Sequence, residues 1–246
     1  MDIIRGKQSR PPRIVVYGVE GIGKSSFGAS APNPIILQTE DGLDHIEADR
    51  LPLCTSYKQF MAPLGEIASE PHDYETLVVD TLDWLEKLIW AEVCEKENKK
   101  SIEEIGYAKG YKYALNQWKE VISGLDWIRN NRGMIIILLA HAKIERFEDP
   151  ESAGYDRYTL RLHKDADAYI REWSDAVLFA QRKQRIEKTG EGFNQRTIAK
   201  PIGLDGGERI LRVVGSPACT AKNRYGLTAD IPLSWDELAE EIAKNK

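Results

Sequence analysis

The chain has 246 residues, of which 42% are hydrophobic and 30% are charged, which allows one large domain or two small ones. Its 34 basic and 39 acidic residues give a net charge of −5, so a generally basic surface is excluded and any nucleic-acid-binding surface must be a local patch. No apolar segment approaches the roughly 18 residues that a membrane span needs, and the three separated cysteines form no CxxC pair.

The first part of the chain alternates short apolar segments with amphipathic ones. Residues 1–12 are predicted to form a flexible arm, and a single domain is predicted over residues 13–246. The predicted strands cover residues 13–17, 34–38, 76–79 and 134–140. The predicted helices cover residues 24–31, 58–69, 82–97 and 113–131. This alternation predicts an α/β fold with a mostly parallel central sheet flanked by helices.

The pattern changes after His141. Residues 142–157 are polar and lack apolar periodicity, so they are predicted to form a loop. Further strands are expected over residues 158–162, 175–181, 183–188, 194–199 and 209–214, with a hairpin tip at 188–192. Antiparallel strands are expected toward the C-terminus. A last helix is predicted from Ser234 to Ala243, opened by a capping box of Ser234 and Glu237.

The segment from Gly18 to Ser25 matches the P-loop pattern GxxxxGK[ST]. It follows an apolar strand and opens a helix, so its backbone N–H groups can surround phosphates. A chance match in a glycine-rich turn would lack this strand and helix. Lys24 is predicted to contact the β- and γ-phosphates of ATP, and the Ser25 hydroxyl is predicted to bind Mg²⁺. The predicted nucleotide-binding residues are Gly18, Val19, Glu20, Gly21, Ile22, Gly23, Lys24, Ser25 and Ser26.

Polar side chains end three of the predicted strands, at the sheet edge where α/β proteins bind ligands. Asp80 is predicted to hold Mg²⁺, usually through water, and the alternative is a helix cap. Either Glu40 or Asp41 is a candidate to activate the attacking water, and the alternative is a pair of solvated acids. His141 is expected to hydrogen-bond the γ-phosphate or that water, unless it is a structural histidine.

These motifs together resemble the RecA-like ATPases, and most closely the compact phage-encoded group of nucleotide-binding and single-strand annealing proteins. The resemblance covers about residues 13–235, and it is carried by the P-loop and by residues 39–44, 77–81, 138–141 and 222–226. It implies a RecA-like core in which Glu40 activates water. It also implies that Lys222 and Arg224 reach the ATP of a neighbouring subunit. His141 stands where the bacterial recombinase has Gln.

The same resemblance implies single-stranded DNA as a partner, and a homo-oligomeric ring or filament with ATP at the subunit interfaces. A single-stranded-DNA-binding protein is a further candidate partner. A cytoplasmic location is expected, which is the host cytoplasm if the protein is phage-encoded.

Residues 98–113 interleave lysines with tyrosines, and they occupy the place of the first DNA-binding loop of that family. Lysines neutralise phosphates and tyrosine rings stack on unpaired bases. The alternative is a solvated connection between helices. The second loop of the family corresponds to residues 142–164, whose charge is mixed. The predicted DNA-binding residues are Lys99, Lys100, Tyr107, Lys109, Tyr111 and Lys112.

The leading hypothesis from sequence is a Mg²⁺-dependent ATPase, slow or stimulated by DNA, that binds single-stranded DNA and promotes annealing or recombination. A nucleotide-dependent switch or assembly ATPase that acts on proteins is the alternative from a different class. A small-molecule kinase is the third hypothesis, and it is disfavoured because the sequence has no arginine-rich lid segment.

Overall fold

A computed structural model describes residues 1–246 except 2, 4, 7, 151–152, 190–195, 203–206 and 246. The strands are β1 (Arg13–Gly18), β2 (Pro34–Gln38), β3 (Asp49–Arg50), β4 (Thr76–Asp80), β5 (Ile135–Phe147), β6 (Tyr155–Leu160), β7 (Ala176–Arg182), β8 (Gln184–Thr189), β9 (Arg196–Pro201), β10 (Arg209–Arg212), β11 (Lys222–Asn223) and β12 (Ile231–Pro232). The helices are α1 (Lys24–Ala29), α2 (Tyr57–Ser69), α3 (Leu82–Lys96), α4 (Lys109–Asn131), α5 (Lys164–Trp173) and α6 (Trp235–Lys244), with a 3₁₀ turn at Ile102–Glu104.

The central sheet has the strand order β12-β10-β7-β1-β5-β4-β2-β3. The strands from β7 to β3 are parallel, whereas β10, β11 and β12 are antiparallel to their neighbours. The prediction of a mostly parallel sheet with antiparallel strands toward the C-terminus is therefore confirmed. Strand β5 lies between β1 and β4, and Gly18 is level with His141 while Gln38 is level with Asp80. The P-loop and the predicted site residues consequently share one sheet edge.

The central parallel strands β1, β2, β4 and β7 are buried on both faces, which explains why they are largely apolar. On one face, Val15 and Tyr17 pack with the apolar sides of α2, α3, α4 and α5. On the other face, Ile14 and Val16 pack with α1 and α6. Helix α1 lies close to the sheet, because a Cβ added to Gly28 would sit 2.8 Å from Val78 Cγ1.

The prediction of a loop over residues 142–157 is wrong. Strand β5 continues past His141 as far as Phe147 and pairs with β6 in an antiparallel hairpin, with Ala142 opposite Leu160 and Phe147 opposite Tyr155. The outer part of this hairpin is partly or fully exposed, so its strands need no continuous apolar run. Polar composition therefore does not distinguish this hairpin from a loop.

Helix α5 was not predicted, although Ala166, Tyr169, Ile170 and Trp173 follow a helical spacing and pack on the core. Helix α4 begins at Lys109, four residues before the predicted start at Tyr113.

The last helix is confirmed as α6, but the described structure shows no cap hydrogen bond from the Ser234 side chain, so the predicted capping box does not form. The predicted hairpin tip falls mainly on residues outside the described part, while β8 and β9 on either side of it are paired. None of the described helices combines the length and the apolar character needed to cross a bilayer.

Candidate functional site

A cavity of about 380 Å³ opens at the carboxyl edge of the sheet, beside the P-loop. The backbone packs closely where the P-loop begins, since a Cβ on Gly18 would collide with the carbonyl oxygen of Ala180. Gly23 has φ +107°, a left-handed conformation that strains any other residue. These two glycines are therefore required where the chain turns from β1 into α1.

The Lys24 side chain is buried beneath this cavity. Its Nζ donates to the carbonyl oxygens of Gly18, at 3.2 Å, and Val19, at 3.0 Å. Burial lowers the pKa of Lys24, while the nearby carboxylate of Asp80 opposes that shift. The lysine is therefore held over the P-loop, and phosphate oxygens are suitable acceptors to replace the two carbonyls.

Asp80 and Ser25 form the part of the cavity that fits a magnesium ion. Asp80 is 4% exposed; burial raises the pKa of its carboxyl group and a hydrogen bond with Ser25 lowers it, with a net upward shift. Among the described residues, no group of three or more His, Cys, Asp or Glu side chains could hold a metal ion. A hydroxyl and one carboxylate fit a P-loop site, where Mg²⁺ takes its other ligands from phosphates and water.

The Glu40 carboxylate faces this cavity from the end of β2. Its Oε2 accepts a hydrogen bond of 3.1 Å from the Thr81 hydroxyl and lies 3.8 Å from His141 Nδ1. Thr39 fixes the neighbouring backbone, because its Oγ1 accepts from Thr81 N at 2.9 Å and donates to Thr81 O at 2.7 Å. Asp41 also lines the cavity but is exposed. The geometry therefore favours Glu40 over Asp41 as the group that activates water.

Asp83 and Arg161 extend the site, and sequence analysis assigned neither of them a role there. The buried Asp83 carboxylate accepts from His141 N at 3.0 Å and from Arg161 Nη2 at 2.8 Å, and it lies 3.1 Å from His141 Nδ1. Burial raises the pKa of Asp83, but hydrogen bonds from His141 and Arg161 outweigh burial and hold the pKa below its ordinary value. Arg161 Nη1 also donates to Glu20 of the P-loop at 3.0 Å. The residues after β6 are thereby tied to the P-loop and to His141.

Residues 10–225 of the chain match the family model described as AAA domain. The chain belongs to the AAA domain family. This match covers Lys24, Glu40, Asp80 and His141, and nucleotide binding and hydrolysis are the activities that such a domain indicates. The lysine, hydroxyl and carboxylate described above are the kinds of group that suit ATP with Mg²⁺.

One curated relative of the AAA domain protein is the SPbeta prophage-derived uncharacterized protein YorG of Bacillus subtilis (strain 168). The two are 25% identical over 172 residues, which cover 68% of this chain and 49% of the relative. The chain therefore spans about half the length of this relative.

Lys222 and Arg224 lie outside the nucleotide cavity of their own AAA domain. Strand β11 pairs with the start of β7, where Asn223 is level with Ala176, whereas the P-loop follows the opposite end of β1. Arg224 Nη1 lies 3.3 Å from Asp175 Oδ1, and Lys222 Nζ donates to the Glu172 carbonyl oxygen at 3.3 Å. Contact with the nucleotide of another subunit stays a prediction.

The predicted DNA-binding residues of the AAA domain divide into two groups. Those exposed to solvent are Lys99, Lys100, Tyr107, Lys109 and Lys112. Tyr107 is 97% exposed, and both it and Ala108 have left-handed backbone conformations. The two lysines 109 and 112 lie in the first turn of α4 and not in a loop.

Tyr111 does not fit the prediction of a base-stacking residue. Its hydroxyl donates to Glu103 at 2.9 Å, and its ring stacks on His163 with centroids 4.1 Å apart. Packing inside the protein therefore occupies the ring face that a DNA base would need. A helix start four residues earlier than predicted is the reason, because it turns Tyr111 toward the core.

Proposed function

We propose that this AAA domain protein is a Mg²⁺-dependent ATPase that binds single-stranded DNA and promotes annealing or recombination. The observation that carries the ATPase part is the Glu40 carboxylate, held by Thr81 at the cavity that Lys24 and Asp80 line. Glu40 is the general base, taking a proton from the water that attacks the γ-phosphate. Lys24 binds the β- and γ-phosphates, and Ser25 and Asp80 would hold a magnesium ion, which would supply charge neutralisation at the phosphates.

The substitution Glu40→Gln tests the general base. We expect phosphate release to slow by about 10²–10⁴-fold, because only proton abstraction is lost, while ATP affinity changes little. Radiolabelled ATP hydrolysis and equilibrium ATP binding give the two quantities. Asp41→Asn is the matched control, since Asp41 lines the same cavity, and it should retain wild-type turnover. Normal turnover in Glu40→Gln together with slow turnover in Asp41→Asn would reverse the assignment.

We assign the AAA domain to the RecA-like group for two reasons. Asp80 is followed by Thr81 rather than by a second acid, so the base comes from the neighbouring strand β2. The late segment with Lys222 and Arg224 resembles the family motif that acts across subunits, which supports a ring or filament with ATP at its interfaces. The prophage origin in the name of the relative supports a phage protein of the host cytoplasm, and a single-stranded-DNA-binding protein is a further candidate partner.

Single-stranded DNA is the proposed ligand of a surface that we call the Lys/Tyr surface, formed by Lys99, Lys100, Tyr107, Lys109 and Lys112. Its four lysines are exposed, and Tyr107 offers a ring with no packing partner among the described residues. A chain with a net charge of −5 needs such a local patch to attract phosphates. Lysines that release counterions and an aromatic ring that stacks on a base are the two requirements for binding single strands.

Fluorescence anisotropy with labelled oligonucleotides over a salt series tests this surface. We expect Lys109→Ala with Lys112→Ala to weaken binding of every sequence and to flatten its salt dependence. Tyr107→Ala should cost about 1–3 kcal/mol with an unchanged salt slope, and Tyr107→Phe should retain most of the affinity. Trp127→Ala is the control, because Trp127 is an exposed aromatic residue near the other end of α4.

The outcome also separates the DNA hypothesis from its alternative. If wild-type protein binds no single strand at low salt in any nucleotide state, the DNA function fails. A switch or assembly ATPase acting on protein partners is then favoured by the 63% exposed Ile144, which lies on the β5–β6 hairpin between Lys143 and Glu145. If wild type binds but the Lys/Tyr substitutions have no effect, only the surface is wrong.

A further inference from the structure

Arg209 lines the nucleotide cavity although no sequence motif includes it. It is the first residue of β10 and is exposed. Among the described residues, no carboxylate or carbonyl group accepts a hydrogen bond from its guanidinium group. An unpaired arginine that faces an anion-binding cavity has all its donors free for a ligand.

The guanidinium group lies directly against the P-loop. Its Nη1 is 2.9 Å from the position that a Cβ on Gly23 would occupy, so the absence of a side chain at Gly23 leaves room for the arginine. Gly23 immediately precedes Lys24, which binds phosphates in the proposed mechanism. Arg209 is therefore within reach of the same polyphosphate chain, from the same subunit.

The order of the strands indicates which phosphates Arg209 contacts. Strand β10 lies on the β7 side of β1. Strands β5 and β4, which carry His141 and Asp80, and β2, which precedes Glu40, lie on the other side. The γ-phosphate must lie toward the group that activates water. Arg209 approaches from the opposite side of β1. It is therefore placed to contact the α- and β-phosphates rather than the γ-phosphate.

We propose that Arg209 binds the α/β-diphosphate portion of the nucleotide in cis, and that it supports ATP and ADP affinity equally. This inference rests on the proposed nucleotide site. Guanidinium groups suit this role because they donate two parallel hydrogen bonds to phosphate oxygens. Arg209 is a binding residue, so its loss should appear as a lower affinity for both nucleotides.

The test measures dissociation constants of fluorescent methylanthraniloyl-ATP and methylanthraniloyl-ADP for wild type and Arg209→Ala. We expect both constants to rise together by about tenfold or more, as loss of a charge-assisted hydrogen bond predicts. Arg209→Lys should recover part of the affinity. Arg212→Ala is the matched control on the same strand, because Arg212 lies 3.8 Å from Asp230 and does not line the cavity. Thermal melting checks that every variant is folded.

Four results would overturn the inference. Unchanged ADP affinity in folded Arg209→Ala would exclude the diphosphate contact, even if ATP affinity fell. An equal loss in Arg212→Ala would indicate general electrostatics rather than a contact. If wild-type protein bound neither nucleotide, both the proposed ATPase function and this inference would fail. If wild-type protein bound both nucleotides and Arg209→Ala bound them equally well, only this inference would fail.

Discussion

Several buried charged side chains lie at or beside the nucleotide cavity, and each of them has a partner. The charges of Lys24 and Asp80 attract each other. The Asp83 carboxylate accepts hydrogen bonds from His141 and Arg161. Breaking a buried pair costs about 3–5 kcal/mol, so substitutions at these positions affect folding as well as catalysis. The Glu40 side chain is 31% exposed. Replacing it with Gln therefore changes the chemistry with little effect on stability, which makes it the most informative single substitution in the site.

Glu86 is a buried carboxyl group outside the cavity, on α3. Both of its oxygens accept from the backbone N–H of His163, at 3.0 and 2.9 Å. Burial raises its pKa to about 7; the His163 hydrogen bond and the charge of Lys143 oppose that shift, and Asp83 adds to it. Between its ordinary pKa and about pH 7, the folded state keeps a proton that the unfolded state has lost. Glu86 therefore reduces the free energy of unfolding as the pH rises through this window.

The substitution Glu86→Gln tests this pH dependence. Because glutamine does not titrate, the free energy of unfolding of the variant relative to wild type should rise by up to about 3 kcal/mol from pH 5 to pH 8. Urea denaturation at several pH values measures the difference. Glu95→Gln, an exposed change on the same helix, is the control. Stability curves that stay parallel for wild type and Glu86→Gln would show that burial does not perturb this carboxyl group.

The residues that could be predicted are those that one local motif contains. Lys24 and Ser25 lie side by side in the P-loop, and Asp80 follows an apolar strand directly. Arg161 could not be predicted, because its partners Asp83 and Glu20 are 78 and 141 positions away in the chain and only the fold brings them together. Arg209 was missed for the same reason.

Strands buried on two faces were the easiest elements to predict, whereas the outer part of the β5–β6 hairpin could not be predicted. Strand β4 is buried along its whole length, so its apolar run is a strong signal. The outer part of the β5–β6 hairpin is partly or fully exposed, and its charged residues form ion pairs such as Arg146 with Asp156, at 3.6 Å. Cross-strand pairs of this kind stabilise a hairpin without leaving an apolar pattern. Helix α5 is short, and its apolar positions lie between charged ones, so it too was overlooked.

At the scale of the whole molecule, Lys222 and Arg224 are separated from their own cavity by the length of the central strands. If they complete the site of a neighbouring subunit, two inactive variants should complement each other. Each active interface needs an intact Lys24 from one subunit and an intact Arg224 from the next. An equal mixture of Lys24→Ala and Arg224→Ala subunits should therefore regain about a quarter of wild-type ATPase activity, by random pairing in a head-to-tail assembly.

This complementation experiment requires evidence that the subunits mix. Differently tagged variants are co-purified before activity is measured, and size-exclusion chromatography with light scattering gives the oligomer mass. Lys24→Ala mixed with Glu40→Gln is the control, because both changes lie in the same cavity and no mixed interface restores it. Inactive mixtures of confirmed hetero-oligomers would contradict action across the interface.

The position of β1 at the centre of the sheet affects the order of events during protein synthesis. Strand β1 pairs with β5 and β7, both encoded far downstream of it. A nascent chain on the ribosome therefore displays an apolar strand without a hydrogen-bonding partner until Ile135 has emerged, and the second partner begins only at Ala176. Pairings across such sequence distances form slowly and expose aggregation-prone edges. The phosphate-binding loop is thus translated before both of the strands that complete its folded surroundings.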